Sequence, residues 1–150
     1  MGHEGTRYSA GKDNRPGALA LCTASVLAAT AWWAWRRSER VEVSGLSMAP
    51  ALQPGDRLVI WRPVIWSPVT WRSSAVHTGD VVAAADPRDP QRTILKRAGA
   101  VGTDGVLLLG DNPSQSTDSR HFGRVPLASV RGKAVYRYAP PGRAGRLRRT

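Results

Sequence analysis

Two residues of this sequence stand where chemistry is possible, a serine at a bend and a lysine on a strand. In Val41-Glu42-Val43-Ser44 the alternation of apolar and polar residues predicts a half-buried strand, and Gly45 frees the backbone to turn just before Ser47. Pro50 and Pro54-Gly55 keep the strand from resuming at once. A hydroxyl held at such a bend is exposed and rigidly aimed, as a nucleophile must be, and the same pattern also fits a plain serine-rich turn. In Thr93-Ile94-Leu95-Lys96-Arg97-Ala98 a period of two puts Ile94, Lys96 and Ala98 on one face and Thr93, Leu95 and Arg97 on the other. Lys96 is then either a lysine reaching into water from a sheet edge or one buried for its basicity. At an ordinary pKa of about 10.4 only ~0.04% of a lysine is neutral at pH 7, so it accepts a serine proton only if its surroundings lower that value. Desolvation by neighbours such as Ile94, Ala98 and Met48 acts in that direction.

The elements that must position these residues are short and mostly β. Strand character recurs at Leu58–Trp61, from Gly79 to Ala83, at Val106–Leu109 and from Val130 to Tyr138. Between them lie a loop at Asp86-Pro87-Arg88-Asp89-Pro90, turns at Gly102–Gly105 and Gly110–Pro113, and a polar loop over Ser114–Gly123. Trp61, Trp66 and Trp71 are interleaved with Pro63 and Pro68, which exclude a helix or a central strand there. Their odd spacing cannot put all three indoles on one strand face, so they read either as core and loop residues or as a contact with a membrane surface.

The chain has 150 residues, 41% of them hydrophobic, enough for one core. Its formal net charge of +11 is spread unevenly, with residues 139–150 carrying four arginines and no acidic group. No helix-turn-helix, zinc-finger or RNA-binding pattern accompanies that charge, so the expected partner is an anionic membrane surface and not nucleic acid. The single Cys22 excludes an internal disulfide, and no metal or other cofactor is expected. Residues 1–17 read as a disordered leader. Residues 18–35 carry no charge and would form a helix of ~27 Å, close to a bilayer's hydrocarbon thickness. Trp32, Trp33 and Trp35 followed by Arg36 and Arg37 suit a transmembrane anchor, while Ala29-Thr30-Ala31 also fits the cleavage site of a secretory signal. Basic residues flank the segment equally, so charge sets no orientation.

Taken in order, Ser44-Gly45-Leu46-Ser47-Met48-Ala49-Pro50, Gly79-Asp80-Val81-Val82, Leu95-Lys96-Arg97, and Gly110-Asp111-Asn112 with Ser116-Thr117-Asp118-Ser119-Arg120-His121-Phe122-Gly123 resemble the motif blocks of the type I signal peptidases. These are membrane-anchored Ser/Lys endopeptidases, and the resemblance covers about residues 41–138. It implies Ser47 as nucleophile, Lys96 as general base, Ser116 as a hydrogen-bond partner of the lysine, and an ion pair of Asp118 with Arg120, joined by Arg97. It also implies precursor proteins as substrates, cut after small residues, with the catalytic domain on the outer face of the cell membrane beside a single-pass anchor. Gly45 stands where many relatives carry a serine that donates to the oxyanion, which leaves more of that task to the Ser47 N–H. Only thirteen residues separate Lys96 from Gly110, so the chain resembles compact members such as the maturation proteases of nickel superoxide dismutase and the mitochondrial inner-membrane peptidases.

The expected fold is all-β, a twisted antiparallel sheet over residues 41–138 behind an N-terminal transmembrane helix at 18–35, with 139–150 as a basic tail. Two rivals remain. A triad of Ser47, His77 or His121, and Asp118 lacks the Gly-x-Ser-x-Gly elbow. A basic, membrane-tethered binding module without catalysis would be indifferent to the Ser47 hydroxyl.

Overall fold

The computed structural model describes residues 18–36, 38–62 and 76–149, so the leader at 1–17 and the indoles of Trp66 and Trp71 lie outside the described residues. The chain divides into two compact units, Met1–Trp35 and Arg36–Thr150. Helix α1 (Ala18–Arg36) is built of alanine and leucine, which lose little on entering a helix, and Arg36 in its last turn complements the carbonyl end of its dipole. Among the described residues no helix is long and apolar enough to cross a membrane. The segment expected at 18–35 to span a membrane is a helix in the structure.

The second unit is one antiparallel sheet. Its strands are β1 (Ser38–Glu42), β2 (Arg57–Trp61), β3 (Val81–Asp86), β4 (Asp89–Gly102), β5 (Gly105–Leu109), β6 (Val130–Ala139) and β7 (Gly145–Arg146). They lie in the order β1-β2-β6-β3-β4-β5, with β7 added beside β6. Asp86 pairs with Asp89, so the segment read as a loop is a tight hairpin and β4 begins directly after it. The polar loop after β5 holds a single 3-10 turn (Pro113–Gln115) and a short helix α2 (Ser119–Phe122). Asp118 caps α2 by accepting the Arg120 N–H.

β3 is apolar at nearly every position because both its faces are covered. Val81 and Ala83 join Val43, Met48, Leu52, Leu58, Ile60 and Ala134 in one cluster, while Val82 and Ala84 join Val76, Ala98, Val106, Leu108, Val125 and Val130 in another. The alternation of a strand thus sorts one short segment into two cores.

Residues 139–149 do not form a separate tail. After β6 the chain turns through Pro141–Arg143 and lays β7 back on β6 at Tyr136 and Arg137. Two buried carboxylates hold this return: Asp56 takes Arg137 at 3.1 Å and Arg143 at 3.2 Å, and Asp80 takes Arg149 at 2.6 Å. Arg143 and Arg149 are therefore committed to the protein's own aspartates, which reduces the charge left for an anionic surface.

Candidate active site

Ser47 sits on the loop between β1 and β2, and that loop is cinched at its base. The Val43 N–H donates to the Asp56 carbonyl and the Gly55 N–H to the Val43 carbonyl, each at 2.8 Å. Met48 and Leu52 enter the core from this loop and are fully buried, so the neighbour of Ser47 acts as a peg that fixes the turn. From the other side the Asn112 N–H donates to the Ser47 carbonyl at 3.0 Å. Gly110 allows this approach, since a Cβ there would fall 2.7 Å from the Ser47 carbonyl and onto the Ser116 hydroxyl. Ser47 itself is half-buried, and no acceptor among the described residues takes its N–H.

Lys96 lies on β4 opposite Val82 and is only 4% exposed. Its Nζ donates to Ser116 Oγ at 2.8 Å, and Ser116 Oγ donates to Asp118 Oδ2 at 2.7 Å. Asp118 is fully buried and also accepts the Gly110 N–H at 2.8 Å and the Arg120 Nε–H at 2.9 Å. Arg120 first, then the Gly110 N–H and the Ser116 hydroxyl, hold the Asp118 carboxyl well below the usual carboxylate range despite its burial. The carboxylate therefore has no proton to give, and this fixes the direction of the chain: Ser116 spends its proton on Asp118 and presents a lone pair to Lys96. Burial pushes the Lys96 ammonium below its ordinary value of 10.5, the Asp118 charge opposes this, and the Arg120 charge adds to the lowering.

Arg97 does not join Asp118 and Arg120. It donates to both oxygens of Asp111, at 2.7 and 2.5 Å, and to the Gly79 carbonyl at 2.7 Å. Strand alternation explains the correction, because adjacent residues of β4 point to opposite faces and Asp118 lies on the Lys96 side. Asp111 as its partner went unread in the sequence, as did Ser119, whose buried hydroxyl accepts the Leu108 N–H at 2.8 Å and ties α2 to β5. The two described histidines, His77 and His121, stand apart from the serine. His121 Nδ1 accepts the Asp118 N–H at 3.4 Å as part of the α2 cap, and His77 lies 3.7 Å from Asp80. Neither lines the cleft that holds Ser47.

That cleft, about 330 Å³, has Ser47, Met48 and Lys96 in its wall, with the end of β1 on one side and β4 on the other. A half-buried hydroxyl, an amine stripped of water and an unspent backbone N–H in one cavity are the components of acyl transfer without a metal. A family model described as "Signal peptidase, peptidase S26" matches residues 17–108 and 98–139. The chain belongs to this signal peptidase family. Its S26 relatives include the mitochondrial ATP-independent inner membrane protease subunit 1a of Arabidopsis thaliana, 34% identical over 71% of this chain and 73% of the relative. Mitochondrial inner membrane protease subunit 1 of Mus musculus is 30% identical over 72% of this chain and 74% of its own. Subunit 2 of Danio rerio is 32% identical over 70% and 66%. As a member of a family of serine peptidases, the protein is an enzyme.

Proposed function

We propose that this peptidase uses Ser47 as nucleophile and Lys96 as general base to remove leader peptides from precursor proteins at a membrane. The observation that carries the reading is the hydrogen-bond chain from Lys96 through Ser116 to Asp118. A hydroxyl between amine and carboxylate orients the nitrogen without forming the ion pair that would keep it charged, and burial favours the neutral amine. Neutral Lys96 takes the Ser47 proton as Oγ attacks the scissile carbonyl, the Ser47 N–H receives the developing oxyanion, and the lysine returns the proton to the leaving amine. Water then hydrolyses the acyl-enzyme by the same exchange. Gly45 adds no side-chain donor to the oxyanion, and a Cβ at that position would meet nothing within 4 Å.

The membrane part of the reading rests on α1, which exposes Val26, Leu27, Trp32, Trp33 and Trp35, and on relatives named for an inner membrane. An apolar helix with tryptophans clustered at one end suits the bilayer interface. The preference for small residues before the cut follows from the family resemblance.

The dyad is tested on a peptide carrying Ala-x-Ala before its cut. Ser47→Ala and Lys96→Ala should each lower kcat by at least about 10³-fold with the circular dichroism spectrum unchanged, since a proton-transfer unit fails when either member goes. Lys96→Arg should be equally inactive because a guanidinium stays protonated. A variant retaining a tenth of wild-type kcat overturns the assignment.

A further inference from the structure

We propose that the cleft selects for charge as well as size, with Arg92 and Arg88 forming a cationic subsite for an acidic side chain of the leader, about four residues before the scissile bond. The inference rests on the dyad reading above and extends it to a part of the cleft that catalysis does not use. β4 pairs with β3 along one edge from Thr93 to Arg97, while on its other edge β5 begins only at Arg97. Between Arg92 and Lys96 that second edge has no strand partner among the described residues, and these residues line the cleft. The facing wall is the end of β1, which among the described residues pairs only with β2. An extended peptide adding to such an edge satisfies backbone groups that are otherwise left to water.

The open edge has a direction. Past Lys96 it is closed by β5, so the groove runs from the dyad toward Arg92 and holds the substrate on one side of the cut. Leaders are what different precursors have in common, so the one-sided groove is assigned to the leader. Arg92, Ile94 and Lys96 share a face of β4 at two-residue intervals, which places Arg92 ~13 Å from Lys96, the span of about four extended residues.

The far end of the groove is cationic and short of free acid. Arg92 is exposed and makes no salt bridge among the described residues, although its charge reaches Asp86. Arg88 donates Nε–H to Asp86 Oδ1 at 3.0 Å and an Nη2 proton to Oδ2 at 2.8 Å, which fixes its fork and leaves most of its N–H donors unspent. Asp86 is buried and committed to that contact. The carboxylate on the opposite wall, Glu42, is engaged by Arg57 at 3.0 Å. A need to satisfy Asp86 accounts for Arg88; it gives no reason for Arg92.

The test uses three peptides identical in their Ala-x-Ala sequence and differing only at the fourth residue before it is cut, as Glu, Gln or Lys. Wild type should cleave the Glu peptide about fivefold better than the Lys peptide in kcat/KM, as a partly exposed ion pair allows. Arg92→Gln should shrink that ratio and Arg92→Glu should invert it. Arg92 carries the test because Arg88→Gln would strip a buried aspartate of its partner. Equal cleavage of the three peptides by wild type, or a preference unchanged in Arg92→Glu, overturns the subsite while the dyad stands. Failure of wild type to cut any of them overturns the dyad reading, and the subsite with it.

Discussion

Lys96 and Lys133 occupy the same row of the sheet, one on each side of Val82, and their fates differ. Lys133 Nζ lies 2.8 Å from Asp80 Oδ1, in direct contact with a carboxylate that also takes Arg149 at 2.6 Å. Burial would by itself raise the Asp80 carboxyl, but the hydrogen bonds from Lys133, the His77 N–H and Arg149 bring it below its ordinary value. Lys96 instead meets a hydroxyl, with the carboxylate one atom further on. One interposed oxygen separates a lysine ion-paired to a buried carboxylate from the lysine proposed as the base. Arginines complete the contrast: Arg120 neutralises Asp118 behind the hydroxyl, and so weakens the pull of that carboxylate on the Lys96 ammonium.

The contrast is broken most sharply at Ser116. Ser116→Ala removes the acceptor that orients Lys96 and should lower kcat by about 10²-fold with little change in KM, whereas Lys133→Ala should leave kcat within about twofold. In wild type kcat/KM should rise with pH through an apparent pKa below 10.5, because the base must be neutral and burial lowers its value. Ser116→Asp puts a carboxylate in direct contact, as Asp80 is with Lys133, and should move that rise to higher pH. A rise at unchanged pH in Ser116→Asp would remove the hydroxyl from the account.

The next effect is on stability. Asp118 has a native pKa below its ordinary 3.8, so its stabilisation is complete above about pH 4 and drains away as the pH falls toward the native value. Asp118→Asn should cost about 2 kcal/mol at pH 7, discounted because Arg120 is half-exposed, and should flatten the acid limb of the stability curve. Urea denaturation at pH 7 and at pH 3 measures both.

The smallest effect is a difference in sign. Lys96→Met removes an ammonium buried at a cost and should raise stability by about 1 kcal/mol while abolishing activity. Lys133→Met deprives buried Asp80 of one partner and should lower stability by about as much while leaving cleavage intact. Thermal unfolding that shifted the same way in both variants would refute the distinction between the two lysines.

Much of this was legible in the chain because it depends on near neighbours. Strand periodicity put Lys96 among apolar residues, Gly45 and the prolines put Ser47 at a bend, and alternating short apolar runs specified an antiparallel sheet. The loop from Gly110 to Gly123 has no periodicity, since its shape is set by bonds to other elements, such as Gly110 to Asp118 and Leu108 to Ser119. The pairing of Arg97 with Asp118 and Arg120 was implied by the family resemblance and not by the strand pattern, which sets Arg97 on the face opposite Lys96; Asp111 reaches Arg97 only through the register of β4 on β5. The arginines of residues 139–149 looked like a charged tail for a related reason. Charge is counted in sequence, but whether an arginine is free depends on a carboxylate buried far away along the chain: Asp56 for Arg143, Asp80 for Arg149. The face that each strand residue takes is determined by the sequence alone, because it follows from backbone geometry over a few residues. Which nitrogen meets a hydroxyl and which a carboxylate was decided only by strand order, because β3 lies between β4 and β6 and sets Lys96 and Lys133 on opposite sides of a single valine.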